Sequence, residues 1–224
     1  MDQTNNMAIQ PHLLWQAIKH FLSFIRVRRY FRIKKLRKIA ALQWQKLAKQ
    51  KCIKLEFGSG HKLGKNGWTT VDLYGADINY DLRRGIPLAD NSVAAIYSSH
   101  MLEHIPYQQL IPFLQECRRV LAVDGYLSVC VPNARQYIEA YLQQQYFRDP
   151  ESFYQPARVN TGSFIDQLNY VAYMGGEHMY MFDPENLVNT LKMAGFSQVH
   201  LREFEPGLDI VERHEGSIYA KALR

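Results

Sequence analysis

Ile53-Lys54-Leu55-Glu56-Phe57-Gly58-Ser59-Gly60, followed by Gly67-Trp68-Thr69-Thr70-Val71-Asp72, is the stretch on which the fold turns. Residues 53–57 read as a short strand, and Gly58-Ser59-Gly60 ends it in a tight turn. Glycine lets the backbone take positive φ and approach a ligand closely. Glu56, just before the turn, can accept hydrogen bonds from a positively charged amino group. Residues 67–72 read as a second strand closed by an acid. The two carboxylate oxygens of Asp72 can take both hydroxyls of a ribose. A Gly-x-Gly turn by itself also fits an ordinary loop, so the strands and acids beyond it decide the matter.

Working outward, Asp77-Ile78-Asn79-Tyr80-Asp81-Leu82 reads as a third short strand, and Ala94-Ala95-Ile96-Tyr97-Ser98 as a fourth. Leu110, Phe113, Leu114, Cys117, Val120 and Leu121 then recur at helical spacing. Tyr126-Leu127-Ser128-Val129-Cys130-Val131 is a fifth strand, closed by Pro132-Asn133. Short apolar strands separated by acids, glycines or helix predict a largely parallel sheet with ligands at the strands' carboxyl ends. A dinucleotide oxidoreductase would need a full G-x-G-x-x-G and an acid about 20 residues further on. Here Gly64 stands four residues after Gly60, and Asp72 comes too early.

Three runs together resemble the class I S-adenosylmethionine-dependent methyltransferases of the small-molecule type. Leu55-Glu56-Phe57-Gly58-Ser59-Gly60 is similar to the family's glycine-rich first motif. Asp81-Leu82-Arg83-Arg84-Gly85-Ile86-Pro87-Leu88-Ala89-Asp90-Asn91-Ser92, continuing through Ser98-Ser99-His100-Met101-Leu102-Glu103-His104, is similar to its central motif. Glu116-Cys117-Arg118-Arg119-Val120-Leu121, then Asp124-Gly125-Tyr126, is similar to the helix and turn that enter its fifth strand. The resemblance implies a Rossmann-like, seven-stranded, mostly parallel sheet with helices on both faces. Its last two strands, Val199–Arg202 and Ser217–Ala220, would form an antiparallel hairpin. Before them, Asp183-Pro184-Glu185 starts a helix, with Asp as N-cap and Pro at the first position, and Gly195 ends it.

The same resemblance implies S-adenosylmethionine as cofactor and assigns its site. Glu56 would face the methionine amino group through Gly58, Ser59 and Gly60. Asp72 would accept the ribose hydroxyls, with Leu73 beside it. Asp81 and Leu82 would lie at the adenine, and Ser98 would begin the segment beneath the methionine part. Two departures stand out. Only 11 residues separate Gly60 from Asp72, too few for the helix that usually joins the first two strands. Ala122-Val123-Asp124-Gly125 also replaces the usual Lys-Pro-Gly-Gly turn.

Methylating a hydroxyl at neutral pH favours a base near pKa 7, for which His is suited. Of eight histidines, His178 is the first choice as base or substrate ligand and His100 the second. His104, in Leu102-Glu103-His104, equally suits a structural role holding a turn. Gly175-Gly176 before Glu177-His178 predicts a mobile lip over the pocket. Residues 134–182 are an aromatic-rich insertion on the substrate side. Singly its aromatics suit core packing, and as a set they suit stacking on sugars or other flat substrates. No metal ligand set is assigned. The expected reaction is O-methylation of a sugar, glycan or other small molecule. The alternatives are a non-catalytic nucleotide-binding or scaffold protein and an RNA methyltransferase.

Charge separates an arm from a body. Residues 1–51 hold 12 Lys/Arg against one acid, net +11, whereas residues 52–224 hold 15 against 20, net −5. An acidic body argues against a nucleic-acid groove across it. Leu14, Ile18, Phe21, Leu22 and Ile25 mark one face of a helix, too short to span a bilayer. Residues 26–38 carry eight basic residues in thirteen, and a second apolar stripe runs from Ile33 to Leu47. A solvated helical cap, attachment of residues 12–38 to an anionic membrane surface and contact with RNA phosphates all fit such an arm, RNA least. A homodimer through these helices fits as well. The expected division is an arm over 1–50 and a methyltransferase domain over 51–224. Three cysteines, Cys52, Cys117 and Cys130, predict reduced, buried thiols. The expected location is cytoplasmic, at the inner face of the membrane if the arm binds there.

Overall fold

The computed structural model describes residue 19, residues 34–152 and residues 159–224. The predicted helix over 12–25 and most of the basic run, with Phe153 and Tyr154, lie outside the described residues. The chain divides into two units, 1–42 and 43–224. Residues 34–47 are helical (α1), 34–42 of them in the first unit. The division falls inside this helix rather than at residue 50, because its last turn belongs to the body. Trp44 and Leu47 are buried there. The Trp44 ring meets Tyr80 edge-on at 5.7 Å, and Gln43 donates to the Asp77 carbonyl.

The body is built on seven strands: β1 Ile53–Phe57, β2 Trp68–Asp72, β3 Ile78–Asn79, β4 Val93–Ser99, β5 Leu121–Pro132, β6 Ser197–Arg202 and β7 Ser217–Leu223. Their order across the sheet is β3-β2-β1-β4-β5-β7-β6. The first five are parallel. β7 runs antiparallel to both β5 and β6. The expected hairpin is therefore present, with both strands longer than the sequence indicated. Helices α2 Tyr107–Val120, α3 Ala134–Leu142, α4 Ile165–Tyr173 and α5 Pro184–Met193 complete the body. As expected from the short link, among the described residues no helix joins β1 to β2, and none joins β2 to β3.

Parallel register separates the two faces. Phe57 pairs with Ser98 across β1 and β4, and the Phe57 ring meets Phe113 of α2 at 6.1 Å. That face carries Leu55, Ile96 and Phe57, each no more than 1% exposed. The helices there follow amphipathic logic. α2 buries Leu110, Phe113, Leu114, Cys117 and Val120. α5 starts where Asp183 accepts from the Asn186 amide, with proline at the first position. Cys117 and Cys130 are buried as expected, but Cys52, at the lip of β1, is exposed.

The loop between β3 and β4 has its polar groups gathered by one side chain. Arg119 of α2 donates to the Ile86 and Leu88 carbonyls, to Asp90 and to Glu116. Glu116 in turn accepts from the Ile86 amide at 3.1 Å. This explains why an acid and an arginine sit three residues apart on that helix.

On the other face Arg202 and Asp209 form a bidentate ion pair, at 2.6 and 2.7 Å. The two side chains are only 9% and 0% exposed. Tyr97 donates to Asp209 at 3.0 Å, Arg202 donates to Ser128 at 2.9 Å, and the guanidinium lies 4.9 Å from the Tyr219 ring centre. Strands β4, β5, β6 and β7 are thereby tied to the loop after β6. Burial alone would raise the Asp209 carboxyl, but the Arg202 bonds and the Glu205 amide hold it below the usual carboxylate range. Its stabilisation is thus complete above the unfolded pKa of about 3.9 and is lost as pH falls through the lower folded value. Asp209→Ala leaves Arg202 buried and unpaired, so urea unfolding near pH 7 should show a loss of about 3–5 kcal/mol. Tyr97→Phe removes one hydrogen bond to a charged group and should lose about 1.5–3 kcal/mol in the same assay.

Candidate active site

The carboxyl ends of β1, β2, β3 and β4 open into one cleft of about 340 Å³. In an open parallel sheet a ligand crevice forms where successive connections leave in opposite directions, here between β1 and β4. Gly58, Gly60, Asp72, Leu73, Asp81, Leu82 and His100 all line it, joined by Tyr80, Met101 and His104. Glu56, Ser59, Ser98 and His178, also singled out from the sequence, do not line it.

Gly58 is required by geometry. Its φ is +69°, and a Cβ there would stand 2.4 Å from the Met101 Cβ. The turn after β1 and the segment after β4 thus touch through a missing side chain. Gly60, at φ +63°, has open space where a Cβ would stand. Its amide donates to Asp72 Oδ2 at 2.9 Å, and the Leu73 amide donates to Asp72 Oδ1 at 2.5 Å. Two backbone bonds aim this carboxylate while its remaining lone pairs stay available.

Asp81 caps the 3₁₀ turn Leu82–Arg84. Arg83 grips its carboxylate at 2.8 and 3.1 Å and holds its pKa below the usual range. Glu56 pairs with Lys62 Nζ at 2.8 Å, so an ammonium already stands at this carboxylate. The Ser59 and Ser98 hydroxyls are buried without a partner.

The donor set fits S-adenosylmethionine. An acid that accepts an ammonium, an oriented acid on the cleft wall, a second acid beyond it and a glycine turn with open space answer its amino, ribose, adenine and methionine groups respectively. Asp72, Asp81 and the Gly58–Gly60 turn would hold it there, and Glu56, set back from the cleft, would take its amino group only in place of Lys62.

The histidines are arranged differently from expectation. His100 lines the cleft, at a left-handed φ of +51°. The Ser217 hydroxyl donates to the Arg213 carbonyl, so it accepts from His100 Nε2 at 2.8 Å. Burial, aided by Arg213, pushes His100 down to about 3, far below what a general base at neutral pH needs. His178, the first choice, is buried behind the cleft. Its Nδ1 lies 2.7 Å from the Val171 carbonyl, and its ring packs edge-on against His104 at 4.9 Å. His104 is the member that reaches the cleft. Its motif was visible in the sequence, but its exposure depends on the turn Leu102–His104 and could not be seen there.

The segment after Gly175-Gly176 is pinned rather than free. The Met179 and Tyr180 amides donate to the Glu103 carbonyl at 2.7 and 3.2 Å, and His104 Nδ1 lies 3.1 Å from the Glu177 carbonyl. The aromatic insertion also behaves otherwise than as a pocket wall. Among the described residues, none of 134–182 lines the cleft. Tyr137 packs with Val171, Phe147, Leu168 and Tyr170 in a small core of its own. Tyr180 stacks on Tyr107, with ring centres 6.1 Å apart and planes 15° from parallel.

Comparison with known proteins gives the same assignment for the central region. Residues 55–129 match the model of the methyltransferase domain family. A search of curated proteins gives no match. Among solved structures, a SAM-dependent methyltransferase from Archaeoglobus fulgidus is 15% identical, over 96% of this chain and 100% of that one, with a TM-score of 0.49. The 1,6-didemethyltoxoflavin-N1-methyltransferase of Burkholderia thailandensis, with S-adenosylhomocysteine bound, is 15% identical over 100% and 93%, with a TM-score of 0.45. At these scores the likenesses add nothing to a strand order and a cleft that stand by themselves. The matched region, residues 55–129, holds the glycine turn, the acids of the cleft and the strands that carry them, and it is similar to the methyltransferase domain family, in a sheet of Rossmann-like order.

Proposed function

We propose that the chain methylates a hydroxyl group of a sugar, a glycan or another small polar molecule. The observation that carries this is the position of His104, on the cleft wall after β4 and next to Met101. S-adenosylmethionine supplies an electrophilic methyl group. The residues of the chain have to orient the acceptor and accommodate its proton. Burial lowers the His104 pKa, so its ring is neutral at pH 7. Its Nδ1 proton is directed to the Glu177 carbonyl, which leaves Nε2 with a lone pair to receive a proton or hold an acceptor. The acidic body favours a neutral or cationic acceptor over a nucleic acid. A panel of sugars, small phenols, lipids and RNA, assayed with radiolabelled S-adenosylmethionine, is the test. Methyl transfer to RNA alone would overturn the proposal.

Residues 26–38 we read as an attraction to anionic membrane, motivated by a +11 arm on a −5 body. Each basic residue near such a leaflet is worth about 1 kcal/mol, so a few suffice for reversible attachment. Among the described residues no helix is long and apolar enough to cross a membrane. The chain should float with vesicles containing phosphatidylglycerol and not with neutral ones. Equal recovery with both at moderate salt would leave the arm as a cap or a dimer contact.

The cofactor roles predict distinct outcomes for two variants. Asp72→Ala should weaken S-adenosylhomocysteine binding by about 1.5–3 kcal/mol in calorimetry, the value of a charged hydrogen bond. Gly58→Ala should weaken it too and lower the unfolding temperature as well, because the new Cβ collides with Met101. Unchanged affinity in Asp72→Ala would remove this acid from the ribose.

A further inference from the structure

At the cleft wall and just behind it lie three side chains to which no cofactor group has been assigned. Glu103, His104 and His178 present one ligand atom each, all within 4.8 Å of one another. Glu103 is 1% exposed, and both of its carboxylate oxygens are buried without a hydrogen-bond partner. Arg213, whose charge acts on it, donates to the Ser99 carbonyl instead. A carboxylate buried without a hydrogen bond costs several kcal/mol, so such a group takes up a proton, is paired or coordinates a metal; Oε1 of Glu103 lies 3.8 Å from His100 Nδ1, beyond hydrogen-bond distance.

The histidines are set up for the same purpose. A carbonyl only accepts, so Val171 fixes the proton of His178 on Nδ1 and Glu177 fixes that of His104 on Nδ1. Both rings therefore keep Nε2 as a lone pair. Metal-ligating histidines usually carry this device, the second ring nitrogen donating to a backbone carbonyl. His104 Nε2 stands 3.9 Å from Glu103 Oε1.

We propose that Glu103, His104 and His178 form a binding site for a divalent transition-metal ion of the zinc type. Two imidazoles and one carboxylate are the ligand set of an open zinc site, with remaining positions for water or substrate. Tetrahedral zinc holds neighbouring donors about 3.4 Å apart, so the widest separation has to close by roughly 1.4 Å, within the reach of side-chain rotation. Because His104 also lines the cleft, the open positions would face it. Resting on the hydroxyl-acceptor proposal, the ion, occupying the His104 Nε2 lone pair, would bind the acceptor oxygen there and lower its pKa, so that the proton leaves to solvent water rather than to His104. The site itself stands independently of that role.

The test uses the full chain, stripped with a chelator and titrated with Zn²⁺ alone in a calorimeter. One equivalent should bind. His104→Ala, His178→Ala and Glu103→Gln should each weaken it beyond the roughly 10–100-fold that loss of a mere positioning partner costs, while His200→Ala, on β6, should not. Co²⁺ should give visible absorption bands that vanish in the two histidine variants. Circular dichroism checks that each variant is folded. No stoichiometric uptake by the folded wild type, or uptake unchanged in both histidine variants, overturns the site. Calorimetry with S-adenosylhomocysteine on the same samples separates the outcomes. Zinc uptake without S-adenosylhomocysteine binding would count against the methyltransferase proposal and not against the metal site.

Discussion

The parallel placement of β1 between β2 and β4 governs the rest of the structure. It brings the carboxyl ends of four strands to one edge, and the chain leaves β1 and β4 in opposite directions. A crevice results from that topology whatever the side chains are. What the side chains decide is how near the two departing segments come. A glycine at position 58 lets Met101 pack against the turn. The cleft is lined by Asp72 at the end of β2 and Asp81 after β3, and by His100, Met101 and His104 after β4.

Each wall is stiffened by a different means. On the acid side the usual helices between strands are absent, and backbone amides do their work. Gly60 and Leu73 orient Asp72. Asp77 collects bonds from Gly64 and Thr70, which fixes the helix-free link after β1. On the histidine side the amides of Met179 and Tyr180 meet at the Glu103 carbonyl. That contact carries the insertion's last segment onto the turn after β4. The histidine pair is thus assembled from parts of the chain more than 70 residues apart.

Strand positions were legible because apolar runs ending in Asp or Gly have few other uses, and the helix of residues 184–193 was legible because its cap, proline and final glycine agree. Asp72 was legible for the same reason, since it ends β2, whereas Asp81 lies beyond the short β3 and caps the next turn. The histidines were not. His178 and His100 were ranked by sequence neighbours, whereas their use depends on burial and on which carbonyl takes the Nδ1 proton. The insertion misled through composition. Tyr137 and its neighbours are aromatic because α3 and α4 need a core of their own, set apart from the sheet. The Arg202–Asp209 pair carried no sequence signal, since nothing local distinguishes it from a surface pair until the loop folds over β4.

Buried charge is handled in two opposite ways within this small body. Asp209 has Arg202, Tyr97 and the Glu205 amide, and burial is more than offset. Glu103 has no hydrogen-bond partner for either oxygen. A fold that neutralises Asp209 so completely has the means to neutralise Glu103, and an apolar residue in the same volume would have been cheaper. The unpaired carboxylate beside two oriented imidazoles is therefore better explained by a ligand that the chain receives than by packing.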